Sequence, residues 1–116
     1  MNTVNNELPT GITQAMIDEA VAKYGTGNVA AASIPKDENS TELLNVLLKT
    51  PGREAVGQYQ LWADKNMNKA NEILVRACFI NADDIKAVLA DTGLFLGAVD
   101  ACASMIPMRK SIVKKF

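Results

Sequence analysis

Apolar residues recur three to four positions apart in several stretches of the chain, the spacing that places them on one face of an α-helix. The first stretch begins at Thr13, whose hydroxyl suits a helix N-cap, and ends at Gly25, where we expect a left-handed C-cap. A second helix is predicted with Thr50 as its cap and Pro51 as its first residue, because proline sacrifices no helical hydrogen bond at that position.

A third helix is predicted around Ala70, Leu74 and Cys78, which follow one another at intervals of one helical turn. The neighbouring positions Val75 and Phe79 leave this helix little polar surface. A helix that is apolar on most of its circumference must be covered on most sides. We therefore expect it to be the central and most buried helix.

The remaining pattern predicts further short helices towards the C-terminus. Asp83 and Asp84 place negative charge where it favours a helix start, and we expect Thr92 and Gly93 to close that helix. Another apolar stripe begins at Phe95 and is interrupted by Pro107. A last amphipathic turn or two is predicted from the apolar residues beyond it: Ile112, Val113 and Phe116.

The segment between residues 28 and 49 supports two interpretations. Small apolar residues from Val29 to Ile34, a polar loop and a leucine-rich run ending at Lys49 together indicate a β-hairpin. The leucines suit a short helix equally well, and leucine favours helix by propensity. We predict an α+β, mainly α fold with four to five short helices and a small β-hairpin near residues 28–49.

Length and composition indicate a single globular domain. The 116 residues suit one domain, with residues 1–11 expected as a flexible lead-in and residues 12–116 as a mainly helical domain. Apolar residues make up 48% and charged residues 22%, which argues against global disorder. The net charge of -1 argues against general binding of nucleic acid.

The sequence carries no pattern typical of export or of a membrane segment. The first residues lack the basic start and apolar stretch of a signal peptide, and no apolar run approaches the ~18 residues of a membrane helix. Two cysteines are too few to indicate a disulfide framework. We therefore predict a cytoplasmic protein without membrane partners.

Candidate catalytic patterns each have a simpler structural interpretation. The glycines in the run Gly25 to Ala30 match the letters of a dinucleotide-binding motif, but a helix precedes them where that motif needs a strand. Cys78 and Cys102 lie in apolar stripes, and the chain has no histidine to activate a thiolate. Adjacent carboxylates on a helix point in different directions. We predict no enzyme activity, no cofactor and no metal.

The C-terminal residues are the candidate partner-binding site. Cationic and apolar side chains are interleaved there. No acid follows Asp100, so no negative charge in this segment balances the cations. Such a segment suits a solubilising end, a cation cluster at a helix C-terminus or a docking segment for a partner. The candidate residues are Arg109, Lys110, Ile112, Val113, Lys114, Lys115 and Phe116.

The order of motifs along residues 13–116 resembles small proteins of phage and prophage tail modules, the tail assembly chaperone type. The resemblance covers most of the chain and is carried by structural motifs without a catalytic fingerprint. They are Lys23-Tyr24-Gly25, Lys49-Thr50-Pro51-Gly52-Arg53, Asn68-Lys69-Ala70-Asn71-Glu72-Ile73-Leu74, Cys78-Phe79-Ile80-Asn81-Ala82-Asp83-Asp84 and Phe95-Leu96-Gly97-Ala98 before a basic end.

The resemblance implies a non-enzymatic role in building a phage tail inside a bacterial host cell. Proteins of this type coat the long tape-measure protein until tube subunits replace them, so the implied partner is a phage structural protein of tape-measure type, with a homo-oligomer as a further expectation. They are often made in a second, longer form by ribosomal frameshifting. The alternative is a small helical regulatory protein that binds nucleic acid or a host protein through its basic C-terminal end.

Overall fold

The computed structural model describes residues 8–39 and 41–116. Residues 1–7 of the predicted lead-in therefore lie outside the described part. The described residues form an antiparallel hairpin and five helices, which confirms the predicted α+β, mainly α fold. In chain order the elements are α1 (Gln14–Tyr24), β1 (Val29–Pro35), β2 (Leu43–Lys49), α2 (Arg53–Ala63), α3 (Met67–Cys78), α4 (Ala82–Leu89) and α5 (Thr92–Ser104).

Polar side chains fix the starts of most helices. The predicted cap of α1 is confirmed, because the Thr13 hydroxyl accepts a hydrogen bond from the Met16 N–H at 3.2 Å. The Asn66 side chain accepts from the Lys69 N–H at 3.1 Å at the start of α3. Asn81 caps α4 in the same manner. Each cap satisfies a backbone donor that the first helical turn leaves without a partner.

At the end of α1, Gly25 adopts the positive φ that the predicted cap requires. Its φ is 98°, and its N–H donates to the Val21 carbonyl at 2.8 Å. Its ψ of 151° is extended, so Gly25 is the C-cap as predicted, but the predicted left-handed helical conformation is wrong. The chain therefore leaves the helix directly towards the hairpin. The conformation at this φ favours glycine, because a side chain would meet its own backbone there.

The predicted start of α2 is wrong. Helix α2 begins at Arg53 with Gly52 as its N-cap, whereas Thr50 still belongs to the end of the hairpin. The Thr50 N–H donates to the Asn28 carbonyl at 2.9 Å, which extends the ladder by one more hydrogen bond. Pro51 is buried at the junction between the two elements. Pairing with the opposite strand therefore outweighs the local capping preference of Thr50.

The predicted boundary between α4 and α5 is also wrong. Helix α4 ends at Leu89, and Thr92 and Gly93 form the first turn of α5 instead of closing α4. The Asp91 carboxylate accepts from the Leu94 N–H at 2.9 Å and so acts as the N-cap of α5. Aspartate at this position also interacts favourably with the positive end of the helix dipole.

The predicted hairpin is confirmed, and the helical alternative for its leucine-rich half is not. Strand β1 pairs with β2 in a register that runs from Val29 opposite Lys49 to Pro35 opposite Leu43. In β2 the consecutive residues 46–48 are all buried, so the strand lacks the usual alternation of exposed and buried side chains. A strand covered on both faces suits a continuous apolar run, and this burial outweighs the helix propensity of leucine.

Helix α3 lies at the centre of the core, as predicted. Its residues Ala70, Leu74, Val75 and Cys78 are all completely buried. Helix α2 and helix α5 pack against it, and Leu48 of β2 forms a bridge with Phe79 just after its end. The core cluster consists of Ile34, Val46, Leu48, Leu74, Val75, Cys78, Phe79, Val88, Ala98 and Cys102.

The predicted amphipathic turn near the C-terminus is wrong. Helix α5 ends at Ser104, and residues 107–116 contain no helix or strand. A helical segment of ten residues is only marginally stable in water without a surface to pack against. No other described residue covers this segment, because all side chains from Pro107 onward are exposed.

Candidate partner-binding surfaces

The C-terminal tail, residues 107–116, projects its apolar side chains into solvent. Ile112 is 99% exposed and Phe116 is 110% exposed relative to the reference value. Met108 and Val113 are also largely exposed. All seven candidate residues predicted from the sequence lie in this tail and are exposed, namely Arg109, Lys110, Ile112, Val113, Lys114, Lys115 and Phe116.

Within the tail, one cation lies near the aromatic ring. The Lys114 Nζ is 5.7 Å from the centroid of the Phe116 ring, within the range of a weak cation–π interaction. Four of the 12 Lys and Arg residues of the chain lie in the tail, so the other residues carry eight cations against 13 acids, a net charge of -5. A basic tail is therefore attached to an acidic body.

A second feature, which we call the α1 groove, lies between α1, β2 and the start of α4. The groove has a volume of about 470 Å³. Three buried apolar residues outside the main core cluster, Ile12, Ala20 and Leu47, lie in its lining. Met16 and Tyr24 of α1 line it as well. The groove thus combines apolar contact surface with access from solvent.

Acidic side chains accompany the apolar lining of the α1 groove. Glu19 and Asp84 line it, and Asp83 is adjacent to Asp84. Burial raises the pKa of the Asp84 carboxyl, and the neighbouring charge of Asp83 raises it further. Within the part of the chain that the structure describes, no Lys or Arg nitrogen lies within 4.0 Å of these three carboxylates.

One cation, Lys23, also lines the α1 groove. Its Nζ lies 5.4 Å from the centroid of the Tyr24 ring, and the Nζ of Lys49 lies at the same distance from that ring. These two lysines therefore associate with the aromatic ring at one side of the groove. Neither lysine nitrogen lies within 4.0 Å of a carboxylate at the start of α4.

Sequence reasoning did not find the α1 groove. Its lining comes from residues 11–24, 45–47 and 80–84, which are distant in the chain and meet only in the fold. The burial of Leu47 without membership in the main cluster is the structural sign of a second apolar surface on the hairpin. In the sequence this residue is one leucine in a run of leucines.

Both cysteines are completely buried, as predicted. The Cys78 thiol donates a long hydrogen bond to the Cys102 carbonyl, with 3.9 Å between sulfur and oxygen. Interaction with the Cys78 thiol, together with burial, raises the pKa of Cys102 well above its usual range, and the same interaction lowers the pKa of Cys78. Both side chains are 0% exposed, and buried structural cysteines are inert because reagents do not reach the sulfur. The two side chains therefore serve as small apolar elements of the core.

The glycine run after α1 has the predicted topology. Helix α1 precedes Gly25 and Gly27, and strand β1 follows them. This order is the reverse of the strand, glycine and helix sequence that brings a pyrophosphate to a helix N-terminus. Among residues 8–39 and 41–116, no group of three or more His, Cys, Asp or Glu side chains is placed to hold a metal ion.

Comparison of the chain with protein-family models, with curated proteins and with solved structures identifies no match. The described residues contain no helix that is both long and apolar enough to cross a membrane.

Proposed function

We propose that this chain is a non-enzymatic protein of the phage tail assembly chaperone type, acting in the cytoplasm of a bacterial host cell. In this role it binds an extended helical partner of tape-measure type during tail morphogenesis. The C-terminal tail is the segment that contacts the partner. The proposal joins the order of sequence motifs to one structural observation, the complete exposure of an apolar and basic tail.

The exposure of the tail supports binding because apolar side chains gain free energy when they leave water. Each fully buried side chain of this size gains about 1.5–3 kcal/mol relative to exposure. The described part of the chain leaves Ile112, Val113 and Phe116 exposed, so it provides none of this stabilisation. A clustered set of exposed apolar residues with a polar surround is typical of an interaction surface.

The charges of the tail favour an acidic helical partner. Four cations lie in residues 109–116 without any acid among them. Such a segment attracts a partner helix that presents acidic residues beside its apolar stripe, and repels basic ones. A helical partner also offers apolar anchors at regular intervals along its length, which suits repeated binding of a small protein.

The test is quantitative capture of the partner from the native host. A tagged full chain is compared with the triple variant Ile112→Ala, Val113→Ala, Phe116→Ala, and captured proteins are identified by mass spectrometry. Leu96→Ala is the matched control, because it removes a large exposed side chain from α5 and leaves the tail intact. We expect the wild type and the control to capture a long, helix-rich phage protein, and the triple variant to lose it.

Two results would overturn this proposal. Equal capture by the triple variant and the wild type would remove the tail from the binding surface. Recovery of nucleic acid or a host transcription factor, without any phage structural protein, would favour the regulatory alternative. In that case a salt-sensitive shift of DNA, lost when residues 109–116 are removed, would establish the role of the basic end.

A further inference from the structure

The tail and the α1 groove are complementary in both chemistry and size. The tail presents apolar side chains interleaved with cations, and the groove presents an apolar lining beside acidic side chains. A volume of about 470 Å³ has room for a few inserted side chains. The occupant that the groove favours is therefore a short apolar and basic segment.

The spacing of the tail residues matches a helix that docks in a groove. Met108, Ile112 and Phe116 follow one another at intervals of four residues, which places them on one helical face. Pro107 precedes them at a position that suits the first turn of a helix. In the single chain this segment has no helix, so packing against a surface must provide the missing stabilisation.

We propose that the tail of one copy folds into a short helix and docks in the α1 groove of a second copy. Ile112 and Phe116 contact the apolar lining around Ile12 and Leu47, and the tail cations lie beside the carboxylates at the start of α4. Within residues 8–39 and 41–116, the tail is exposed and the groove is open, so both surfaces present contact area to another molecule.

This contact joins two different surfaces, so each copy offers one tail and one groove. A contact of this kind continues from copy to copy unless it closes into a ring. The inference rests on the proposed function in assigning binding to the tail, and it adds that a second copy covers the tail before the partner does. Partner binding and self-association then compete for the same residues.

The experiment is sedimentation velocity of the purified full chain over a wide range of protein concentration. The monomer has a mass of 12.5 kDa, and we expect the average mass to rise with concentration. The tail variant Ile112→Ser, Phe116→Ser and the groove variant Met16→Lys should each weaken association by at least about tenfold. Leu61→Lys is the control, because it places the same charge at an exposed position of α2.

Mixing the two defective variants provides the decisive measurement. The groove variant retains a normal tail and the tail variant retains a normal groove, so one intact contact forms between them. We expect a dimer that contains one copy of each variant and does not grow further. Circular dichroism of each variant checks that the fold is intact, and the helix signal should rise when the mixed dimer forms.

A wild-type chain that stays monomeric at every concentration would overturn this inference. Association that Met16→Lys leaves unchanged, or defective variants that do not pair when mixed, would overturn it equally. Protection of the tail from hydrogen exchange in a monomeric chain would also overturn it, because the tail would then occupy the groove of its own chain. These outcomes concern the purified protein alone, so they are distinguishable from failure to capture a phage partner in the host.

Discussion

Helix α3 and the C-terminal tail have the same apolar spacing, but the apolar side chains of α3 are buried and those of the tail are exposed. Ala70, Leu74 and Cys78 follow one another at intervals of four residues and are 0% exposed, whereas Met108 and Phe116, at equivalent spacing, are 90% and 110% exposed. Helix α3 has a capped start and neighbours on several sides. Apolar periodicity thus shows that a segment can present a stripe, and the surrounding chain decides whether the stripe is covered.

The largest expected effect comes from removing a buried side chain of α3. Leu74→Ala should lower the free energy of unfolding by about 2–5 kcal/mol, because it leaves a cavity in a tightly packed core. Leu74 has no exposed surface. The matched change Leu96→Ala, on the exposed side of α5, should alter stability by less than about 0.5 kcal/mol. Urea denaturation of both variants tests the difference, and equal losses would contradict the assignment of the core.

A second effect concerns the close contact between α5 and the hairpin. A Cβ added at Gly97 would lie 2.7 Å from the Ile34 Cγ2. Gly97→Ala should therefore destabilise the fold by about 1–3 kcal/mol, although alanine is the better helix former. Gly57→Ala in α2 is the control, because its Cβ meets nothing within 4 Å. It should stabilise the protein by about 0.5–1 kcal/mol. If thermal unfolding showed that Gly97→Ala stabilises the protein as Gly57→Ala does, the close contact between Gly97 and Ile34 would be contradicted.

A smaller effect is expected at the capped start of α3, a feature that the tail does not share. Asn66→Ala removes the hydrogen bond from the Lys69 N–H and should cost about 0.5–2 kcal/mol. Asn68→Ala, two residues further along in the first turn, should be nearly neutral because Asn68 is exposed. Chemical denaturation measures both changes. If Asn68→Ala lowered the free energy of unfolding more than Asn66→Ala does, the assignment of Asn66 as the N-cap would be contradicted.

The smallest effect on stability is expected in the tail. Serine at positions 112, 113 and 116 together should change the free energy of unfolding by less than about 0.5 kcal/mol, because none of these side chains is buried. The measurement is made at low protein concentration, where self-association does not contribute. A loss comparable to that of Leu74→Ala would mean that the tail packs on its own body.

Most of the architecture was predictable, because it depends on patterns within single elements. The face of α3, the Thr13 cap and the buried cysteines all follow from local spacing or residue chemistry. A hydrogen bond to Asn28 keeps Thr50 at the end of the hairpin, so the start of α2 depends on a distant segment. The Asp91 cap of α5 is a local signal, and the sequence prediction overlooked it.

The candidate site was predictable only in part. The basic and apolar composition of the tail is visible in the sequence, although its conformation is not, because the surface that would make it helical lies outside its own segment. The α1 groove was not predicted, because Ile12, Leu47 and Asp84 come together only when α1 and α4 pack beside the hairpin. Contacts between distant segments determine such a surface, and spacing along one element does not.

Hydrogen exchange of the full chain, alone and in complex with its captured partner, tests whether the tail binds the partner. Peptides from α3 and from the tail report on the two regions in the same experiment. We predict that α3 is protected in both states, and that the tail exchanges rapidly in the dilute chain and slowly in the complex. Rapid exchange of the tail in the complex, with new protection elsewhere on the body, would contradict the assignment of partner binding to the tail.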